Sequence, residues 1–339
     1  MSNISKIMNQ AAAGAGGGLS VDDVFSTDTY AGNSLARSFS NGLDLSGEGG
    51  LVWIKQRTNY DRNHTLYDTE RGVDNRLFTN SSTAQSAGSG NQLTAFNSDG
   101  FSLGTDTGNY GVNYGYSGGG DYVAWSFRVA EGFFDIVTWS GNNASSRTIS
   151  HNLGAVPGAY TARSYSNSQD WWVYHRNANE DGGGDPEDYA LKLHETGGDE
   201  TTSRWNNTAP TDTTFTVDQD LNFSGRNYIA YLWGHDTSDE SLIKCGVYAG
   251  SGSSSGNSVN VGWEPQWVLI KCLTNGTDWG IIDNVRGSTQ YLRPNLSAVE
   301  NSPNYLTFSS TGFDLTSNDA RVNESGANYI YIAIRAEGA

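Results

Sequence analysis

The stretch Gly326-Ala327-Asn328-Tyr329-Ile330-Tyr331-Ile332-Ala333-Ile334-Arg335 decides how this chain is read. It is apolar and aromatic, short, and without helical spacing, the pattern of a strand with most of its residues buried. The run occurs twice more, as Gly119-Gly120-Asp121-Tyr122-Val123-Ala124-Trp125-Ser126-Phe127-Arg128 and as Gly225-Arg226-Asn227-Tyr228-Ile229-Ala230-Tyr231-Leu232-Trp233. Its tyrosines, Tyr122, Tyr228 and Tyr329, lie 106 and 101 residues apart. Three copies at so long a period indicate a tandem array of domains rather than a solenoid of small units.

Working outward, the order of landmarks repeats. Leu51-Val52-Trp53-Ile54-Lys55, His64 to Asp68, Arg71-Gly72, the series Leu77, Asn80, Ser82, and Gly100-Phe101-Ser102-Leu103 precede the first tyrosine run. Trp267 to Lys271, Trp279 to Asp283, Arg286-Gly287, the series Leu292, Asn295, Ser297, and Gly312-Phe313-Asp314-Leu315 precede the third. The middle copy diverges: Ala159 to Arg163 and Trp171 to His175 stand for its strands, with Phe215-Thr216-Val217 and an insert at 179–188. Each unit offers seven or eight short strands separated by turn residues, the signature of an antiparallel sandwich. We expect an all-β protein of three tandem, jelly-roll-like β-sandwich repeats, 21–132, 133–240 and 241–339, behind an extended arm at 1–20. The junctions have almost no linker, so close packing is expected. Trp53, Ile54, Trp125, Phe127, Tyr231, Trp233, Trp267, Ile270, Tyr331 and Ile334 are the expected core. Where a strand is covered on one side only, half of its run should face outward.

Composition agrees. Glycine supplies 42 of 339 residues, and 18 Tyr and 10 Trp far outnumber 2 Met. Glycine and asparagine punctuate turns, while aromatic and β-branched residues fill strands. The formal net charge of −17 repels phosphates and disfavours nucleic-acid binding. Seawater-like salt would shorten the screening length to roughly 4 Å, leaving little self-repulsion. Cys245 and Cys272 sit in apolar runs and read as buried thiols. No apolar run is long enough to span a membrane as a helix. Met1 to Gly18 lacks the apolar core of a secretory signal.

His64, His151, His175, His194 and His235 are scattered, none with a second His or Cys at metal-ligand spacing. Gly252-Ser253-Ser254-Ser255-Gly256 matches a nucleophile-elbow pattern but lies in a Ser/Gly loop rather than a strand–turn–helix. Asp181, Asp185, Glu187 and Asp188 could hold calcium, yet match no EF-hand spacing and read as a solvated loop. A carboxylate pair for glycoside hydrolysis has no local signal. No catalytic residue, metal or cofactor is therefore expected. Trp171, Trp172 and Tyr174 remain. Alternation puts Trp172 and Tyr174 on one face of a strand, where an exposed pair would stack a sugar ring. Packing against a neighbouring unit is the plainer alternative.

The segments ISKIM, AAGAGGG and VDDVFST, then GLVWIK, LYDTERG, AFNSDGFSLGT, VAWSFR, FFDIVTWSGN, RTISHNLGAVPG, YIAYLWGHD, DESLIKCGVYAG and GWEPQWVLIK, form an ordered series. The series resembles proteins of marine tailed bacteriophages, especially those of cyanobacteria, over nearly the whole chain. That resemblance implies a non-enzymatic virion or tail-associated structural protein, and we expect a tail fibre or tail-associated component, assembled in the host cytoplasm, that serves host attachment and touches host surface glycans. A capsid decoration protein and a polysaccharide-binding or polysaccharide-degrading module are the alternatives. Residues 1–20 bury too little to fold alone. They are expected to dock, with Ile4, Ile7 and Met8 inserted between copies of a homo-oligomer such as a trimer, or into another virion protein.

Overall fold

The structure, a computed structural model, describes residues 18–88, 90–106, 111–115, 120–179, 184–238 and 240–339. Ile4, Ile7 and Met8 lie outside these residues, as does Asp181 of the acidic loop.

The described chain is all-β, and its strands fall into three groups in chain order. The first holds β1 (Phe25–Ala31), β2 (Arg37–Ser40), β3 (Gly50–Gln56), β4 (Thr65–Asp68), β5 (Asn75–Phe78), β6 (Ser86–Ala87), β7 (Leu93–Asn97), β8 (Gly100–Leu103) and β9 (Asp121–Arg128). The second holds β10 (Phe134–Ser140), β11 (Ser146–Ser150), β12 (Ala159–Ser164), β13 (Trp172–His175), β14 (Tyr189–Lys192), β15 (Glu200–Thr201), β16 (Thr214–Asp218) and β17 (Asn227–Trp233). The third holds β18 (Ile243–Ala249), β19 (Asn257–Asn260), β20 (Pro265–Cys272), β21 (Gly280–Asp283), β22 (Leu306–Ser309), β23 (Gly312–Leu315) and β24 (Asn328–Arg335).

Every sheet is built within one group. The large sheets run β1-β9-β3-β4-β5-β6, β10-β17-β12-β13-β14-β15 and β18-β24-β20-β21; the small ones are β2-β8-β7, β11-β16 and β19-β23-β22. All pairings between these strands are antiparallel. Register repeats as well as order. Tyr122, Tyr228 and Tyr329 face Gln56, Ser164 and Cys272 on one side and Tyr30, Trp139 and Tyr248 on the other. In each group the strands divide between a large sheet and a small one. Here β3, β4 and β5 follow one another as hairpins, because short connections make consecutive antiparallel strands neighbours.

Alternation along the central strands explains the core. On β3, Leu51 and Trp53 join one apolar cluster while Val52 and Ile54 join another. On β24, Ile330, Ile332 and Ile334 join that same first cluster, while Tyr329, Tyr331 and Ala333 join a third-group cluster. On β17, Ile229, Tyr231 and Trp233 also enter the first cluster, and Tyr228, Ala230 and Leu232 pack in a second-group one. Each large sheet therefore turns one face to a common centre and the other to its own small sheet. All ten expected core residues are buried. The half-exposed alternation expected of one-sided strands fails here because the large sheets are covered on both faces, the condition that gives near-continuous apolar runs. Cys245 and Cys272 are buried free thiols.

Candidate functional site

The most elaborate polar chemistry lies where the groups meet. Register makes Lys55, Arg163 and Lys271 equivalent, one residue before the partners of the three tyrosines. All three are fully buried, and each reaches a loop of another group. Lys55 Nζ donates to Ser297 O (2.8 Å) in the third group and to Arg62 O (2.6 Å). Arg163 donates to Ser81 O, Ser82 O and Thr83 O (3.0, 2.8 and 2.7 Å) in the first. Lys271 Nζ donates to Thr196 O (3.0 Å) in the second and to Thr277 O (3.0 Å). First grips third, second grips first, third grips second: the contacts close a ring. Two residues further on, Arg57 O, Tyr165 O and Leu273 O accept the N–H groups of Glu300 (2.9 Å), Gln85 (2.8 Å) and Asp199 (3.2 Å), again in cyclic order. Neutral carbonyls cannot fully replace hydration, so burial lowers Lys55 to about 7, Lys271 to about 8 and Arg163 to about 9.

A second repeated device lies deeper. Asp68 and Arg71 form a buried pair (2.6 Å), and Tyr231 of the second group donates to Asp68 Oδ2 (2.7 Å). Asp283 and Arg286 form the same pair (2.5 Å), and Trp125 Nε1 of the first group donates to Asp283 Oδ2 (2.9 Å). At the remaining junction His175 replaces the Asp and Ala178 the Arg, and Ile332 faces them from β24. His175 Nδ1 accepts the Asn177 N–H (3.2 Å) and its Nε2 donates to Tyr331 O (3.2 Å). Those partners set a neutral imidazole, and burial lowers its pKa to about 3.

Trp171, Trp172 and Tyr174 are all buried and offer no open stacking face. Trp171 serves the ring, donating from Nε1 to Phe78 O (2.8 Å) of the first group, with the Arg163 guanidinium 4.8 Å over its ring. Trp172 is covered by Lys192 (4.8 Å) and Arg204 (4.5 Å), and Tyr174 stacks on Tyr160 at 4.7 Å. Packing, not display, absorbs these aromatics. Glu187 and Asp188 lie in a 3-10 turn at Pro186–Asp188.

One group of possible metal ligands exists among the described residues: Asp170, His194 and Glu195. His194 Nε2 stands 3.3 Å from Asp170 Oδ1 and 3.4 Å from Glu195 Oε1. The sequence reading missed it because Asp170 is remote in sequence. Its meaning comes from the other groups. Asn80 accepts the His64 N–H (3.0 Å) and donates to Asn63 (2.8 Å). Asn295 accepts the Trp279 N–H (3.1 Å) and donates to Asp278 (2.8 Å). His194 occupies the same place: Nδ1 accepts the Trp171 N–H (3.5 Å) and Nε2 faces Asp170. A metal on Nε2 would require a proton on Nδ1, directly against that N–H. Lys192 Nζ already lies 3.9 Å from Asp170 and 3.8 Å from Glu195. The group reads as a structural bridge.

Fold and junctions define an all-β protein whose three strand groups share one core and a closed ring of buried polar contacts. The chain belongs to the family described as a domain of unknown function, DUF7483, whose model matches residues 20–338. No curated protein matches the sequence. One family model spans all three groups, in keeping with a core that none of them completes alone.

Proposed function

We propose that this chain is a non-enzymatic structural protein of a bacteriophage virion, a tail fibre or tail-associated component acting in host attachment. In this reading it is three tandem β-sandwiches, each a large and a small sheet, with residues 1–20 as a docking arm. The observation that carries the proposal is the closed ring. Buried cations, ion pairs and indoles are used to lock strand groups to one another, which makes a stiff body that holds its shape without a ligand. A particle component under mechanical load needs that property. The ordered resemblance to marine tailed-phage proteins supplies the setting. The test is immunogold electron microscopy of purified particles with antibody against residues 241–339. Gold on tails is expected. Gold on the shell would move the protein to capsid decoration, and unlabelled particles would overturn the virion reading. Deleting residues 1–18 should leave the sheets folded while particle incorporation fails.

A further inference from the structure

The three groups treat one equivalent place on the outer face of the large sheet differently. In the first group a transverse row of side chains, Tyr122 opposite Gln56, then Ile54 opposite Thr65 and Thr65 opposite Phe78, crosses β9, β3, β4 and β5. In the second, Trp172 takes the place of Thr65 and fills the floor, with Lys192 opposite it and above it. In the third, Gly280 takes that place, and the Tyr291 ring lies so close that a Cβ there would fall 2.2 Å from it. Two groups thus cover the floor position with an aromatic ring, and the third keeps a cleft of about 270 Å3 only beside it, at Gly276, Thr277, Asp278 and Arg321. The first leaves the floor open in a cleft of about 320 Å3, bordered by Asp61, Arg62, Asn63, Arg76 and Val112, with Asp61 Oδ1 already accepting the Val299 N–H (3.0 Å).

The open cleft carries polar groups that its own fold does not use up. Gln56 is buried; its amide nitrogen donates to Thr58 O (2.8 Å), which fixes the flip and leaves Oε1 with no donor among the described residues. A buried acceptor without a partner costs about 1–3 kcal/mol, so a donor arriving in the cleft is favoured. Arg76 uses Nε for Ser86 Oγ (2.9 Å) and lies over the Phe78 ring (5.5 Å), with no ion pair to a carboxylate among the described residues. In the third group Asp278, the counterpart of Asn63, lies 3.4 Å from Arg321 and 3.9 Å from Arg293, which stands where Phe78 does, while Tyr291 takes the place of Arg76.

We propose that this cleft binds a uronic-acid-containing oligosaccharide. The guanidinium of Arg76 matches a carboxylate in a planar fork. Gln56 Oε1 accepts from a sugar hydroxyl, and the half-buried Phe78 ring meets a C–H face. A duplex nucleic acid, with one charge per about 1.7 Å of its length, is disfavoured by the net charge of −17, whereas a short uronate with one carboxylate per sugar ring is tolerated. The site deepens the host-attachment reading but is decided by equilibrium binding to the isolated chain, so the two can fail separately.

The test is isothermal titration of the full chain with oligogalacturonate and with a neutral oligoglucose of equal length, in low and high salt. Oligogalacturonate should bind and oligoglucose should not. Arg76→Gln should weaken binding at least tenfold. Thr65→Trp, which plugs the cleft as the second group does, should abolish it while the thermal midpoint shows that the fold is kept. Absence of oligogalacturonate binding to the native chain overturns the site. Equal binding of the neutral sugar overturns the acidic ligand, and undiminished binding by both variants moves any sugar site elsewhere.

Discussion

Two of the three junctions are built on an ion pair and the third is not. Between first and second groups, and between third and first, a carboxylate, a guanidinium and a polar aromatic arrive together: Asp68, Arg71 and Tyr231, or Asp283, Arg286 and Trp125. Between second and third, a neutral His175 stands with Ala178 and Ile332. The three positions change as a set. A buried carboxylate without its guanidinium, or a tyrosine hydroxyl without its acceptor, would be an uncompensated group in an apolar centre. The difference therefore teaches that the ring closes by either of two self-sufficient chemistries, and that mixtures of the two are costly.

The largest effect should come from breaking a set. Asp68→Ala strands a buried Arg71 and removes the partner of Tyr231, and should cost about 3–5 kcal/mol in denaturant unfolding. Converting the whole set to the neutral chemistry, with Asp68→His, Arg71→Ala and Tyr231→Ile together, should recover most of that loss, since exchanging a buried ion pair for neutral groups is often close to neutral. A triple variant as unstable as Asp68→Ala alone would show that the junctions are not interchangeable.

Acid should expose the histidine junction next. His175 has a folded pKa of about 3, held down by burial, against an ordinary value of 6.5. Between those pH values the unfolded chain takes up a proton that the folded chain refuses. Stability therefore falls as pH falls, by roughly 1.4 kcal/mol per unit for each such group. His64, also fully buried and lowered mainly by desolvation, works in the same direction. At the alkaline end, Lys55 is lowered from 10.5 to about 7, so stability gains as pH rises through that window. Replacing His175→Gln should flatten the acid slope of the thermal midpoint between pH 6.5 and 4.5 by about one proton's worth. An unchanged slope would remove His175 from the account.

Much of this was legible in the sequence. The tyrosine runs and the runs ending at Lys55 and Lys271 read as strands where the structure has them, and the repeated spacing of Asp68 to Arg71 and Asp283 to Arg286 marks the turns that follow β4 and β21. The unbroken run Leu51 to Lys55 also carried the news that both faces are covered, since a one-sided strand would have alternated. What stayed hidden depends on the third dimension. Nothing local says that Lys55 reaches Ser297, or that Trp171 faces Phe78 rather than solvent, because those partners belong to other groups. The open cleft was hidden for the same reason, since Thr65, Trp172 and Gly280 become comparable only once register aligns them. The His194 bridge had a usable signal. Leu191, His194 and Thr196 repeat the spacing of Leu77, Asn80, Ser82 and of Leu292, Asn295, Ser297.

That alignment makes the smallest effect the sharpest comparison. If His194 is a longer substitute for the Asn80 and Asn295 amides, then His194→Asn should shift stability by no more than about 0.5 kcal/mol, the scale of changes that break no buried network. The amide can accept the Trp171 N–H and still donate toward Asp170, and Asp170 and Glu195 keep Lys192 nearby. Zinc or nickel added to the native chain should leave its thermal midpoint unchanged. The imidazole presents its lone pair to a backbone N–H, and a ligand that does not bind the folded state cannot stabilise it. A metal-induced rise in the midpoint that disappears in the His194→Asn variant would reverse the assignment, making the second group a metal site where the first and third carry amide bridges.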